Sequence, residues 1–273
     1  MKQLQIAFIG AGNMATSIIG GLLEQGFDAA NIRASDPSEE SREKLHSTLG
    51  VTTSDDNSSM VKDADVVILA VKPQVMHLVT ADIREAVAAA RSVVISIAAG
   101  ITISSLEKGL GSDTAVVRCM PNTPALLRAG ATALHANAAA SEDQRQSAQD
   151  ILAAVGSTCW VEEEKQLDAV TALSGSGPAY FFLFTEAMVD AGEALGLDRE
   201  TSLSLALQTA VGATRMAAES DVDLVELRRR VTSPAGTTER AIQSFEAAGL
   251  RGCVSQAMQA AADRAEEMAR EMG

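Results

Sequence analysis

Cysteine and aromatic residues are both scarce in this chain of 273 residues. The 3 cysteines, Cys119, Cys159 and Cys253, lie far apart and include no C-x-x-C pair. This pattern predicts reduced, buried thiols in a cytoplasmic protein and excludes a disulfide framework. The 3 histidines fall in three separate predicted elements. We therefore expect no metal site built on histidine.

Positive charge is also sparse. The chain has 22 Lys and Arg against 36 Asp and Glu, which gives a formal net charge of −14, whereas nucleic-acid binding requires clustered cations. No apolar run approaches the roughly 18 residues of a membrane span. The first ten residues, MKQLQIAFIG, have no signal-peptide pattern. We expect a soluble cytoplasmic protein that binds neither nucleic acid nor membranes.

The hydrophobic pattern of the first half predicts a sheet. Short apolar runs, which alternate with helical stretches, lie at residues 4–9, 32–34, 65–71, 92–97, 116–120 and 130–135. Such runs are typical of strands buried on both faces of a parallel sheet. The alternation predicts right-handed β-α-β crossovers and therefore an α/β domain with a doubly wound parallel sheet over residues 1–162.

The second half, residues 163–273, is predicted to be all-α. Helices are expected over residues 178–195, 198–219, 223–231, 237–248 and 253–272. The second of these helices is apolar on more than one face, with Leu203, Leu205, Ala206, Leu207, Ala210 and Val211. A helix of this kind must be covered on most sides, and little chain remains to cover it. We therefore predict a dimer, or a larger assembly, formed through this half.

A glycine-rich turn follows the first predicted strand directly. Its candidate cofactor-binding residues are Gly10, Gly12, Asn13 and Met14, in a G-x-G-x-x-A motif. In a β-α-β unit the first glycine makes a tight turn and the second admits a pyrophosphate, which the free N–H groups of the helix start can bind. A structural turn in an unrelated fold is the alternative, but the position of the motif favours dinucleotide binding.

The end of the second strand bears on which dinucleotide binds. Asp36 stands near the position where an acidic residue binds the ribose 2′-hydroxyl of NAD, and its charge would repel the 2′-phosphate of NADP. Asp36 could instead only cap the helix that begins near residue 38. Ser35 and Asn57 could both donate hydrogen bonds to a 2′-phosphate. The sequence leaves these alternatives open.

Further candidate cofactor contacts follow three more strands, at the sheet edge where doubly wound proteins bind ligands. They are Ala70, Val71, Lys72, Pro73, Ala98, Ala99 and Asn122. Lys72 could reach phosphate or ribose, and small residues at 98–100 would let a nicotinamide approach the backbone. The alternatives are a solvated lysine and ordinary turn chemistry.

Two segments rich in glycine and hydroxyl groups precede predicted helices in the second half. Their candidate substrate-binding residues are Ser174 and Ser176 in SGSGPAY, and Ser233, Gly236, Thr237 and Thr238 in VTSPAGTT. Successive N–H groups at a helix start form an anion site that suits a substrate carboxylate. An ordinary capped helix start is the alternative for each segment.

When these segments are considered together with the earlier motifs, the whole chain resembles the pyrroline-5-carboxylate reductase family. The matching segments are IGAGNMA at 9–15, AVKPQ at 70–74, SIAAGITISSLE at 96–107, RCMPNTPA at 118–125, LDAVTALSGSGPAY at 167–180 and VTSPAGTTERAIQSFE at 231–246. The resemblance implies a Rossmann-like domain, an all-α dimerisation domain, and homodimers that often form decamers. It also implies that NADPH, or NADH as the alternative, reduces the C=N bond of 1-pyrroline-5-carboxylate. The hydride goes to the imine carbon, which is ring carbon 5 of the L-proline product.

The resemblance also implies residue roles. Thr238 is the implied catalytic residue, with its hydroxyl on the imine nitrogen, while Ser233 and the amides of Thr237 and Thr238 hold the substrate carboxylate. Glu164 falls on a position that contacts the product in similar enzymes. The loop at 233–238 is implied to serve a cofactor held by the other subunit.

Two residues depart from the family pattern, and both bear on cofactor choice. Asp36 replaces a serine or another small or polar residue, and Arg230 replaces an asparagine seen in some relatives. Ser35, Asn57, Val71 and Lys72 map onto NADPH contacts of the family. The sequence does not decide between NADPH and NADH. It also leaves open the assembly size beyond a dimer, feedback inhibition by proline and activity on related cyclic imines.

Two other classes of function are compatible with such an α/β domain, and fold alone does not decide between them. β-Hydroxyacid dehydrogenases have a G-x-G-x-x-x-K segment whose lysine is the general acid, and Phe181 stands at that position here. A non-catalytic dinucleotide sensor would bind the cofactor without turnover. It predicts an eroded substrate loop, whereas residues 231–238 are intact.

Overall fold

The computed structural model describes residues 4–272. Its strands are β1 Ile6–Ile9, β2 Ile32–Ser35, β3 Thr52–Ser54, β4 Val66–Leu69, β5 Val93–Ser96, β6 Ala115–Met120, β7 Gly130–Ala136 and β8 Gly156–Trp160. They form one 8-stranded sheet in the order β3-β2-β1-β4-β5-β6-β7-β8. The sequence order reverses between β1 and β4, which is the switch point of a doubly wound sheet. The predicted α/β class is confirmed.

Pairing is parallel throughout the sheet except between β6 and β7, which run antiparallel. The prediction of a wholly parallel sheet was therefore wrong at this pair. Only a short 3₁₀ turn, Thr123–Leu127, lies between these two strands, and a parallel connection needs a crossover of roughly a dozen residues or more. The hydrophobic pattern also does not predict β3 and β8, because neither strand is a continuous apolar run.

The helices are α1 Asn13–Glu24, α2 Glu39–Leu49, α3 Asn57–Val61, α4 Met76–Ala90, α5 Ile103–Leu110, α6 Glu142–Ala153, α7 Gln166–Val170, α8 Gly177–Ala194, α9 Arg199–Glu219, α10 Leu224–Arg230, α11 Thr237–Ala247 and α12 Leu250–Met272. Among the described residues, no helix is long and apolar enough to cross a membrane. Ile6 and Phe8 belong to one hydrophobic core, while Ala7 and Ile9 belong to a second. Alternate residues of β1 therefore point to opposite faces, and the sheet is covered on both.

The chain forms two compact units. One contains residues up to Ser176 together with those from Ala260 onward, and the other is Gly177–Gln259. The whole sheet lies in the first unit, and α12 begins in the second unit and ends in the first. The domain boundary expected between residues 162 and 163 remains a prediction.

Many large apolar side chains of the second unit are exposed in the single chain. They include Phe181, Phe182, Leu183, Leu203, Leu205, Leu207, Val211, Met216, Leu224 and Val225. The prediction that α9 presents apolar residues on more than one face is confirmed. An apolar surface of this extent is typical of a contact between subunits.

The three thiols differ in their surroundings. Cys119 is buried in β6, whereas Cys159 and Cys253 are exposed. The prediction of three buried thiols was therefore wrong for two of them, because Cys159 lies on the edge strand β8 and Cys253 on an uncovered face of α12. Burial raises the pKa of the Cys119 thiol far above its usual range. This thiol is therefore chemically inert.

Candidate active site

The turn between β1 and α1 requires glycine at position 10. Gly10 has a φ of +104°, and a Cβ there would lie 2.5 Å from the carbonyl oxygen of Ala70. The Gly10 N–H donates to the Ser35 carbonyl at 2.7 Å, and the Ala70 N–H donates to the Ile9 carbonyl at 2.8 Å. These bonds hold the turn against the ends of β2 and β4, as the predicted motif requires.

Helix α1 begins with backbone N–H groups that no side chain caps. Gly12 is the N-cap residue, and the first intrahelical bond runs from the Thr16 N–H to the Gly12 carbonyl at 3.0 Å. Asn13 and Met14, the first helical residues, therefore keep free amides. A Cβ at Gly12 would meet no protein atom within 4 Å. Open space before uncapped amides fits the pyrophosphate of a dinucleotide.

Asp36 links this turn to the end of β2. Its Oδ2 accepts a hydrogen bond from the Ala11 N–H at 2.9 Å, and its Oδ1 accepts one from the Ser38 N–H at 2.8 Å. The Arg42 guanidinium donates to the Asp36 carbonyl oxygen at 2.7 Å. The N-cap of α2 is Ser38 itself. Asp36 therefore closes the turn before α2 and also orders the glycine-rich turn, at the place where doubly wound proteins bind a ribose.

Ser35 and Asn57 form a supporting pair beneath this corner. Ser35 is fully buried, and its hydroxyl donates to Asn57 Oδ1 at 2.7 Å. Asn57 Nδ2 in turn donates to Asp82 Oδ2 at 3.0 Å. The structure thus does not bring the Ser35 hydroxyl to a surface where it could donate to a phosphate. A cofactor contact by the half-buried Asn57 remains a prediction.

The turn after β4 presents a free cation. The Lys72 side chain is exposed and has no hydrogen bond or ion pair with any described residue. Ala70, Val71 and Pro73 are half-buried around it. Because this turn follows the strand beside β1, Lys72 lies at the same sheet edge as the glycine-rich turn. Its position is compatible with the predicted phosphate or ribose contact.

The small residues after β5 divide into two roles. Ala98 is buried and Ala99 is half-buried, and their predicted nicotinamide contact stays a prediction. Gly100 has a φ of +74°, and a Cβ there would lie 2.7 Å from Met272 Cε and 3.1 Å from Met268 Cβ. The nicotinamide contact expected at position 100 also stays a prediction. The lack of a side chain at Gly100 admits the end of α12.

Both polar atoms of the Asn122 side chain form hydrogen bonds inside the protein. Its Nδ2 donates to the Ser174 carbonyl at 3.0 Å, and its Oδ1 accepts a hydrogen bond from the Ala131 N–H at 2.8 Å. With only 9% of its surface exposed, Asn122 joins the end of β6 to β7 and to the segment after α7. The geometry favours a structural role for this residue over a cofactor contact.

The segment around Ser174 and Ser176 is not the free helix start that the sequence predicts. Residues Thr171–Gly175 form a π-helical turn between α7 and α8. The Ser176 N–H donates to the Thr171 carbonyl at 2.8 Å, and the Ser174 hydroxyl donates to the Val170 carbonyl at 3.1 Å. The helical path is therefore continuous, and the Ser176 amide is not free to bind an anion. A substrate contact by either serine remains a prediction.

The loop before α11 has the predicted anion-site geometry. The Gly236 N–H donates to the Ser233 carbonyl at 3.0 Å, and a Cβ at Gly236 would lie 2.5 Å from Ser233 Oγ. Gly236 is the N-cap and provides no side-chain cap, so Thr237 and Thr238 begin the helix with free amides. The half-buried Thr238 hydroxyl has no hydrogen-bond partner among residues 4–272. The structure brings these four predicted residues together.

Glu239, which the sequence analysis missed, supports this loop. Its Oε2 accepts a hydrogen bond from the Ala235 N–H at 2.8 Å, and Ala235 has a φ of +56°. A residue other than glycine pays a free-energy cost for this left-handed conformation. The bond from Glu239, three residues after the N-cap, offsets that cost. A glutamate at this spacing is half of a capping box. This spacing was the sequence signal from which the role of Glu239 could have been predicted.

Glu164 contacts a buried arginine that the sequence analysis also missed. Glu164 Oε1 accepts hydrogen bonds from Arg118 Nη1 and from the Ile103 N–H, both at 2.8 Å. The Arg118 side chain is 6% exposed. A second carboxylate oxygen, Asp168 Oδ1, lies 3.9 Å from Arg118 Nη2 and is buried without a hydrogen-bond partner. The sequence signal for this buried ion pair was a charged residue, Arg118, inside the otherwise apolar strand AVVRCM.

The ionisation of Asp168 gives a prediction about stability. Burial raises the pKa of its carboxyl above the ordinary 3.8, the nearby Arg118 lowers it, and Glu266 and Glu164 raise it further. The Asp168 carboxyl is therefore easier to protonate in the native state than in the unfolded chain. This stabilisation is present below the unfolded pKa and is lost as the pH rises through the folded pKa. Asp168→Asn, which removes the charge that burial and the neighbouring carboxylates disfavour, should therefore raise the Tm at neutral pH.

The test is the Tm of Asp168→Asn and of the wild type at a series of pH values. The advantage of the variant should shrink as the pH falls toward about 4, where the aspartate of the unfolded chain also becomes protonated. A Tm difference that does not change with pH would contradict this account.

Family models match both halves of the chain. A family model for NADP oxidoreductase, coenzyme F420-dependent, matches residues 5–100, and one for pyrroline-5-carboxylate reductase dimerisation matches residues 164–268. The second match includes the exposed apolar helices, so the helical half mediates homo-oligomerisation.

Individual relatives match along the whole chain. Pyrroline-5-carboxylate reductase of Pseudomonas aeruginosa is 55% identical over 273 residues, which is 100% of both chains. The solved pyrroline-5-carboxylate reductase of Coxiella burnetii has a TM-score of 0.95 at 44% identity and covers 98% of this chain and 99% of that one. The Plasmodium falciparum pyrroline carboxylate reductase, solved with NADP bound, has a TM-score of 0.86 at 30% identity, with 98% and 99% covered. On this identity and coverage, the chain belongs to the pyrroline-5-carboxylate reductase family.

Proposed function

We propose that this protein reduces the C=N bond of 1-pyrroline-5-carboxylate to give L-proline, with NADPH as the hydride donor and NADH as the alternative. The observation that carries the proposal is the loop before α11, with its uncapped amides and the unpaired Thr238 hydroxyl. A dinucleotide-binding turn alone would also suit a sensor. The intact loop before α11 supports a reductase.

The first unit provides the cofactor half of the proposed reaction. Bound NADPH would supply the hydride. The open space at Gly12 and the free amides of Asn13 and Met14 would hold its pyrophosphate. Lys72, exposed and unpaired, would add a cation beside the phosphates. Ala98 and Ala99 would lie beside the nicotinamide, where their small side chains would let it approach the backbone.

The loop before α11 provides the substrate half. The substrate is a small ring that carries a carboxylate and an imine nitrogen. Ser233 and the amides of Thr237 and Thr238 would hold the carboxylate at the positive end of α11. The Thr238 hydroxyl would then meet the ring nitrogen. An imine that is already protonated needs no strong acid, so orientation is the main contribution, and orientation can lower a barrier by roughly 7–11 kcal/mol at best.

The proposal also includes the oligomeric state of the protein and its location in the cell. We expect a homodimer formed through the helical half, because a second copy would cover the exposed apolar side chains of α8 and α9. A decamer of five dimers is the larger assembly we propose, and light scattering distinguishes it from the dimer. The free state of all three cysteines supports the reducing cytoplasm as the location.

A rate assay tests the function against its alternatives. Purified protein is mixed with 1-pyrroline-5-carboxylate and either NADPH or NADH, and the nicotinamide absorbance is followed. We expect rapid oxidation. A protein that binds the dinucleotide but does not turn over the imine would support the sensor. Oxidation of a β-hydroxyacid with NADP would support the dehydrogenase, whose lysine is replaced here by Phe181.

Asp36 is expected to set the preference between the two cofactors. Its carboxylate would lie near the 2′-phosphate of NADPH, and at short range the repulsion amounts to about 1–4 kcal/mol. Asp36→Ser should therefore raise the NADPH to NADH ratio of kcat/KM about tenfold or more. Asp36→Asn, which keeps the shape and removes the charge, should shift the ratio in the same direction. An unchanged ratio in both variants would show that the Asp36 charge does not select the cofactor.

A further inference from the structure

We propose that Arg42 binds the 2′-phosphate of NADPH and thereby determines, together with Asp36, which dinucleotide the protein prefers. Both residues belong to the segment that follows β2, residues 36–42, which is named here the ribose corner. The inference rests on the cofactor half of the proposed function and adds to it a residue that recognises the phosphate. It concerns the first unit alone.

The ribose corner is acidic, so a 2′-phosphate needs a cation there. Asp36 follows β2 directly, and Glu39 and Glu40 occupy the first turn of α2, where both are exposed. These carboxylates repel a phosphate group, which is close to doubly charged at neutral pH. The NADPH of the proposed function can therefore bind here only if a positive group offsets their charge.

Other donors near the ribose corner are directed into the protein. The Ser35 hydroxyl donates to Asn57 Oδ1, and Asn57 Nδ2 donates to Asp82 Oδ2. Arg33 donates through Nη2 to the carbonyl of Lys62 at 2.8 Å, and its Nε is buried. Lys62 is the C-cap of α3, whereas Asn57 begins that helix. The Arg33 side chain thus reaches the far end of α3, away from the end that begins with Asn57.

Arg42 is held against the ribose corner by one of its nitrogens. Nη1 donates to the Asp36 carbonyl at 2.7 Å and to the Pro37 carbonyl at 3.1 Å. An arginine has five N–H groups, and the two of Nη1 match these two acceptors. Nη2 and Nε have no hydrogen-bond partner among residues 4–272. The guanidinium is thus fixed in place, while the edge formed by Nε and Nη2 keeps its donors.

The free edge of Arg42 suits a phosphate. Its Nε–H and one N–H of Nη2 are parallel donors, which match two oxygens of a phosphate group. Arg42 is half-buried, yet it has no carboxylate at ion-pair distance in the part of the chain that the structure describes. The adjacent acid, Asp36, instead accepts N–H groups from Ala11 and Ser38 with its two oxygens. The positive charge of Arg42 therefore remains available to a ligand.

Asp36 and Arg42 then have opposite effects on cofactor choice. An acid at the end of the second strand favours the ribose 2′-hydroxyl of NADH, and a nearby arginine accommodates the 2′-phosphate of NADPH. NADH has no such phosphate, so Arg42 should contribute to the binding of NADPH alone. A purely structural role predicts otherwise, because the two bonds from Arg42 to backbone carbonyls would support the turn for both cofactors equally.

Calorimetric titration of Arg42→Met with each cofactor tests the proposal. The Kd for NADPH should rise about 10- to 100-fold, the usual size for lost hydrogen bonds to a charged group. The Kd for NADH should stay within about threefold, which also shows that the variant folds. Arg42→Lys keeps the charge without the paired donors and should recover part of the loss. Lys44→Met, which removes an exposed cation from the same helix, should leave both Kd values unchanged.

A fragment of the cofactor isolates the phosphate contact. Adenosine 2′-phosphate should displace bound NADH from the wild type at a lower concentration than adenosine does. This difference should disappear in Arg42→Met and persist in Lys44→Met. Neither compound carries a nicotinamide, so the measurement does not depend on hydride transfer.

The results distinguish this proposal from the proposed function. Equal weakening of NADPH and NADH binding in Arg42→Met would overturn the phosphate contact in favour of a structural role. Unchanged NADPH binding in Arg42→Met, or an equal loss in Lys44→Met, would overturn it as well. A wild-type protein that prefers NADPH through Arg42 but does not reduce the imine would contradict the proposed reaction and support the phosphate contact.

Discussion

Gly12→Ala is expected to fold like the wild type and to bind NADPH about 100-fold more weakly. The added methyl group meets no protein atom within 4 Å, so nothing in the folded chain opposes it. The same methyl group would stand in front of the α1 amides, where the pyrophosphate must approach. Loss of two hydrogen bonds to a charged group, at the lower end of the range of about 1.5–3 kcal/mol each, accounts for the expected change. Calorimetric titration with NADPH and a thermal melt measure the two properties.

Two neighbouring glycines provide the controls. Gly20→Ala also places its methyl in open space, but in the middle of α1, so binding should be retained and stability should rise by about 0.5–1 kcal/mol. Gly10→Ala should instead impair folding, because its Cβ would lie 2.5 Å from the Ala70 carbonyl oxygen. Normal NADPH affinity in Gly12→Ala would contradict the assignment of the pyrophosphate to this helix start.

Thr238→Ala is expected to lower kcat/KM for the imine about 10- to 100-fold while the affinity for NADPH stays unchanged. The Thr238 hydroxyl has no partner among residues 4–272, so its removal leaves no protein group unsatisfied. The loss corresponds to one hydrogen bond to a charged ring nitrogen in the transition state, about 1.5–3 kcal/mol. Steady-state kinetics in both substrates, with a thermal melt, measure it.

Two threonine variants control for this change. Thr238→Ser keeps the hydroxyl and should retain activity within a few-fold. Thr214→Ala removes a hydroxyl that donates to the Ala210 carbonyl within α9 at 2.8 Å, and it should leave the kinetics unchanged. Equal activity of Thr238→Ala and the wild type would show that the Thr238 hydroxyl has no role in the reaction.

Local features of the site were predictable from the sequence because local residues create them. The turn at Gly10 depends on one backbone conformation next to two neighbouring strands, and the loop before α11 depends on a short run of consecutive residues. The residues that form helix starts and glycine-rich turns of this kind lie in short segments of the sequence. The structure has the predicted geometry at both places.

Contacts between distant residues were not predictable in this way. The Arg118–Glu164 ion pair joins residues 46 positions apart, and Asn122 reaches Ser174 across 52 positions. No periodicity or motif in a single sequence connects such residues. For this reason Glu164, Asn122 and Ser174 were identified as candidates without their internal partners.

The sheet shows a similar limit. Apolar runs predicted the central strands β1, β4 and β5, because burial on both faces demands them. The outer strand β3 is the polar segment TTS and gives no such signal. The direction of β7 depends on the short connection from β6, which the strand pattern itself does not contain.

The most direct test of the central claim follows the transferred hydrogen. Wild-type protein is incubated with 1-pyrroline-5-carboxylate and NADPH that carries deuterium at the transferable position of the nicotinamide ring, and the product is examined by NMR and mass spectrometry. The account predicts L-proline with deuterium at ring carbon 5, in an amount equal to the NADPH consumed. Dinucleotide binding without labelled proline would contradict it.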